Sequence, residues 1–133
     1  MTTLLLEIYS VDLTDQPMVE DLGIPLFVEK CISVIEATGM DSLGIYRLSG
    51  NAGLIADLKE KIDQDIGKVN FANPVTYDKD VNVITGLLKT YFREMPDPLM
   101  TFHYYDSLLA AASTNSFPPA PFQSIRSHSC FSF

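Results

Sequence analysis

A chain of 133 residues, 47% hydrophobic and 20% charged, has the length and composition of one globular domain and lies far from the disordered range. Its formal net charge of −8, with nine lysines and arginines in all, argues against binding nucleic acid or an anionic membrane through bulk charge, because both need a basic surface. Cys31 and Cys130 make no disulfide framework, "MTTLLLEIYS" lacks the basic start of a signal peptide, and no apolar run approaches a membrane span, so a cytoplasmic protein is expected.

From Tyr9 to Gly23 the pattern is mixed and predicts a short helical turn and a loop. The first clear helix starts near Pro25, where a missing N–H is no loss, and carries Val28, Cys31, Ile32 and Ile35 at helical spacing. Gly39 fits as its terminating C′ glycine, and Cys31 reads as a small buried hydrophobe rather than a reactive thiol. "NAGLIADLKEKID" predicts a second amphipathic helix through Leu54, Ile55, Leu58 and Ile62, with Ser49 or Asn51 as N-cap. Gly67 and Pro74 punctuate the loop that follows.

The third helix gives the best signal. Asp78 or Asp80 stands near its start, Val81, Ile84, Leu88, Tyr91 and Met95 keep the period, and Pro96 and Pro98 stop it. "TFHYYDSLLAAA" fits a fourth helix, with Thr101 as cap and Phe102, Tyr105, Leu109 and Ala112 on one face. From about Ser113 the chain turns rich in serine, proline and phenylalanine without a period, which predicts an unstructured tail. No strand is predicted, and the class is all-α.

"GIYRLSG", residues 44–50, breaks the pattern. It sets one arginine, Arg47, among Ile45, Tyr46 and Leu48, between Gly44 and Gly50. A core segment would not take the charge, and a plain loop would not take the apolar residues. On the third helix Lys89 and Arg93 stand four apart and share a face with Asn82 and Gly86, a small basic ridge. Read singly, each is a solvated surface cation. Carboxylates are many and read as a solvated acidic face; His103 and His128 lack paired cysteines, so no metal site is expected. There is no Walker loop, GxGxxG or GxSxG, and no cofactor is expected.

Together, "GIYRLSG" and "LLKTYFREMPDPLM", with "IPLFVEKCISVIE" before and "TFHYYDSLLAAA" after, resemble the Rho-type GTPase-activating (RhoGAP) domain over about residues 9–112. The resemblance implies a RhoGAP-type helical bundle and a partner, a Rho- or Rac-type small GTPase in its GTP-bound form. The chain would be no enzyme itself but would complete its partner's active site. Arg47 would be the arginine finger: a guanidinium offers fixed donors and a permanent charge to the negative charge that spreads in phosphoryl transfer. Gly44 and Gly50 would allow close approach, and Ile45 and Leu48 would anchor the loop. Gly44, Tyr46, Lys89 and Arg93 would serve partner binding, Arg93 bracing the finger loop and Lys89 touching the GTPase. The family's domain runs further, with later helices and a partner-binding asparagine that have no counterpart in the tail. A bundle incomplete at the C-terminus is therefore expected, in which the third and fourth helices lose packing partners. Two alternatives follow from that: a non-catalytic GTPase-binding or adaptor module, and a fragment unable to fold.

Overall fold

The computed structural model describes residues 7–113. The chain divides into two compact units, one ending at Pro96 and the other beginning at Asp97.

The first unit opens with a segment pinned by its own backbone. The Asp63 carboxylate accepts the N–H groups of Ile8 and Tyr9, both at 2.9 Å, and both side chains are buried. The predicted helical turn is a 3-10 turn at Leu13–Asp15. Beyond it lies a feature the sequence reading misses: β1 (Met18–Val19) pairs antiparallel with β2 (Ile24–Pro25), Met18 facing Pro25 and Val19 facing Ile24. Two residues per strand are too few to show an alternating pattern, so nothing in the sequence announces them. The fold is otherwise all-α, as predicted.

Helix α1 (Leu26–Thr38) starts one residue after Pro25 and buries Phe27, Cys31, Val34 and Ile35. Gly39 ends it, but with φ −114° and ψ −9° rather than in the left-handed region. Its glycine has a different cause: a Cβ there would stand 2.8 Å from Val81 Cγ2. Helix α2 (Ala52–Asp65) is capped by Asn51, whose side chain accepts the Leu54 N–H at 3.1 Å, and buries Leu58 and Ile62. Helix α3 (Val81–Arg93) is capped by Asp80, which accepts the Asn82 N–H at 2.9 Å. Asp78 does not cap it, because Asp78 and Lys79 take left-handed φ values of 54° and 57° in the preceding loop. The helix ends at Arg93, before the prolines, with the Glu94 N–H bonded back to Thr90; Met95 therefore follows the helix and packs on the core from outside it.

α3 is the centre of the unit and packs on both α1 and α2. Val81, Val83, Ile84, Thr85, Leu87, Leu88 and Tyr91 are all buried, so the expectation that this helix loses its packing partners does not hold. The reason is local: α1, α2 and the Ile8–Gln16 segment already cover it. The Tyr91 ring packs tilted against Phe27, centroids 5.1 Å apart, and its hydroxyl donates to Gln16 Oε1 at 2.6 Å. Gln16 in turn donates to the Val11 carbonyl at 2.8 Å, which leaves that buried amide satisfied at both ends.

In the second unit a 3-10 turn at Phe102–Tyr104 runs into helix α4 (Tyr105–Ser113). The N-terminal bond is made by Asp97, which accepts the Phe102 N–H at 2.9 Å; the Thr101 side chain caps nothing. Phe102, Tyr105 and Leu109 are exposed. The tail expected beyond Ser113 lies outside the described residues.

Candidate functional site: an arginine on a pinned bend

The chain between α1 and α2 is a knot of tight turns. Ser42 N–H bonds to Gly39 O at 2.9 Å, and Ile45 N–H to Ser42 O at 3.2 Å. The N–H groups of Arg47 and Leu48 then both bond to Gly44 O at 2.9 Å. Gly44 has φ +76°, a region that L side chains enter at a cost of about 1–2 kcal/mol. A Cβ at Gly44 would also lie 3.1 Å from Arg47 Nη2 and 3.0 Å from Leu48 Cγ. The bare glycine is thus the floor over which both side chains fold.

Tyr46 sits at φ +65°, strained for a residue with a Cβ. One bond from outside the loop holds it: Lys89 Nζ, on α3, donates to the Tyr46 carbonyl at 2.9 Å. The bend rests on the same helix at two further places. Ile45 packs against the core beside Gly39 and Val81. Gly50 lies so close to the first turn of α3 that a Cβ there would meet Val83 N at 2.5 Å. Arg47 is exposed at the apex. Among the described residues the ion pairs are Lys59–Glu94 and Lys68–Asp65, and Arg47 is in neither, so no carboxylate holds its guanidinium inward.

These placements revise two expectations and add one contact. Ile45 anchors the loop, but Leu48 does not: it is 45% exposed and folds over Gly44 instead of entering the bundle. The brace comes from Lys89, not Arg93, because Lys89 stands one turn nearer the place where the bend crosses α3; Arg93 donates to Thr90 Oγ1 at 3.2 Å within its own helix. The contact of Gly39 and Val81 under Ile45 was not read from the sequence, although a helix-ending glycine beside an apolar loop residue is the signal it leaves.

An exposed guanidinium on an immobilised turn can do little alone. Two surface depressions, of 410 and 400 Å³, lie elsewhere, one beside Lys59 and Asp63 and the other beside Lys30 and Phe71. No group of three or more His, Cys, Asp or Glu among the described residues is placed to hold a metal ion. What the bend can offer is a fixed set of donors to an anion brought by another molecule.

The sequence profile of the RhoGAP domain matches residues 25–127. The chain belongs to the RhoGAP domain family. N-chimaerin of Bos taurus is 41% identical over 106 residues, which cover 80% of this chain and 31% of that protein. Rho GTPase-activating protein 23 of Mus musculus is 36% identical over 96 residues, covering 72% of this chain and 6% of its own length. The crystal structure of human Rho GTPase activating protein 15 superimposes with a TM-score of 0.70 at 31% identity, over 85% of this chain and 52% of that one. This RhoGAP chain thus spans less than a third of the chimaerin and about half of the solved structure. Arg47, Lys89 and the glycine-bracketed bend all lie inside the matched region. No helix among the described residues is long and apolar enough to cross a membrane.

Proposed function

We propose that this chain stimulates GTP hydrolysis by a Rho-family small GTPase, with Arg47 entering the partner's nucleotide site as an arginine finger. One observation carries the reading: Arg47 stands exposed, unpaired by any carboxylate among the described residues, on a bend fastened to α3 by Lys89, Ile45 and Gly50. A finger held in place before contact loses little entropy on use. The GTP-bound partner supplies the γ-phosphoryl group and the water. The guanidinium stabilises charge on the transferring group and on the leaving oxygen, an effect of about 10³ to 10⁵ in rate, or about 4–7 kcal/mol. The chain acts as a regulator in the cytoplasm through residues 9–112, without binding a membrane by this segment. Gly44 and Tyr46 shape the contact, and Lys89 and Arg93 border it.

Single-turnover hydrolysis by GTP-loaded Rho- and Rac-type GTPases tests this. The parent chain should accelerate the reaction, and Arg47→Ala should abolish about a thousandfold or more of that acceleration. An Arg47→Ala chain as active as the parent would refute the finger role. The exposed Phe102, Tyr105 and Leu109 favour a second reading, a GTPase-binding module without activation. Binding by the parent with no rate increase would select it.

A further inference from the structure

The bend carries more than its cation. Met40 is 67% exposed, Leu43 91%, Tyr46 47% and Leu48 45%, four large apolar side chains within nine residues that include Arg47. Single exposed apolar residues need no explanation, but a cluster around a charged group marks a contact surface. Leu43 is the extreme case. It precedes Gly44 in a turn where a small polar residue would serve the backbone as well, and it makes almost no contact with its own chain.

The turn brings Leu43 close to Arg47. Arg47 N–H closes a turn on Gly44 O, so the Cα atoms of those two residues stand within about 7 Å. Arg47 Nη2 itself lies 3.1 Å from where a Cβ of Gly44 would stand, so a surface that meets the guanidinium in this position also meets the neighbourhood of Leu43. We infer that Leu43 is the apolar anchor of the complex: it seats, with Met40 and Tyr46 beside it, in an apolar depression on the rim of the nucleotide site of a GTP-loaded small GTPase. This rests on the reading of Arg47 as a finger, and it adds the residue that supplies affinity beside the one that supplies rate. The charge pattern favours that occupant. The basic groups Arg47, Lys89 and Arg93 stand out on a chain of net charge −8, and they suit a partner presenting phosphate within an apolar rim.

The two roles separate by experiment. Affinity is measured by fluorescence anisotropy against a Rho-type GTPase loaded with a non-hydrolysable GTP analogue, and rate by single-turnover hydrolysis at saturating chain. Leu43→Ser should weaken binding about tenfold or more and leave the saturating rate within about twofold. Leu22→Ser is the control, because Leu22 is 63% exposed in the β1–β2 turn, at the other end of α1 and so about 20 Å away. It should change neither quantity. Unchanged affinity in Leu43→Ser, a loss of saturating rate without loss of affinity, or an equal loss in Leu22→Ser would each overturn the anchor. If Leu43→Ser binds as the parent does while Arg47→Ala loses its acceleration, the anchor alone fails. If Leu43→Ser binds weakly while Arg47→Ala keeps its acceleration, the finger fails and Leu43 stands as a contact of a binding surface.

Discussion

The charged groups around the bend divide their work by reach. Lys89 is exposed and meets the bend through a backbone carbonyl, at Tyr46, the non-glycine residue of the bend that is held in a left-handed conformation. Its ammonium holds the carbonyl of the strained Tyr46, one residue before Arg47. Removing it should loosen the apex without disturbing the core below. For Lys89→Met the urea midpoint should correspond to a change within about 1 kcal/mol, since one solvent-exposed bond is lost. The saturating GTPase rate should fall by more than the affinity does, because a mobile finger is still able to dock. Equal losses in rate and binding would instead make Lys89 a direct partner contact. That Arg47 stands exposed on a tight bend was legible in the sequence, because it is set with apolar residues between two glycines. Which basic residue of α3 braces it was not legible. Lys89 and Arg93 share a face four residues apart, and only the place where Gly50 crosses α3 decides between them.

At the scale of elements, the helices were readable where an apolar stripe and a cap agreed. α3 has both: Asp80 accepts the Asn82 N–H, and the stripe from Val81 to Tyr91 is buried without a break in period. The same cap sets the position of Val81 and Val83, on which the bend rests. Asp80→Ala should therefore lower stability by about 1 kcal/mol, read by urea unfolding, as loss of a helix N-cap does. What the sequence hid were features with no period. The β1–β2 hairpin is two residues deep, and α1 ends at a glycine chosen for room rather than for a left-handed φ. A contact between elements distant in sequence writes no local pattern, so Gly39 was legible as the end of α1 but not as a packing site.

For the molecule as a whole, the first unit closes over groups that cannot afford charge. Burial pushes the Cys31 thiol well above its usual 9.0. Tyr9 lies above its usual 10.0, first by burial and then by the nearby Cys31, Asp63, Glu94 and Tyr91, and burial raises Tyr91 as well. In each case the folded state holds its proton more tightly than the unfolded chain does. Stability from these groups is complete below their unfolded values and drains as the pH climbs past them. Urea midpoints should therefore hold from pH 7 to about 9, fall above it as unfolded Cys31 ionises, and fall faster above 10 as the tyrosines join. Cys31→Ala should flatten the first part of that decline, and a profile level to pH 11 would contradict the burial of all three.

Gly50 settles how the apex is mounted. Its backbone lies against Val83 with no room for a methyl group, while Ile45 rests beside Val81 on the entry side. Both feet of the arch thus stand on one helical turn. The arginine is thus carried on the helix of the unit that buries most of its residues. The finger role proposed for Arg47 therefore predicts a partner that shapes itself to the arch rather than an arch that bends to the partner.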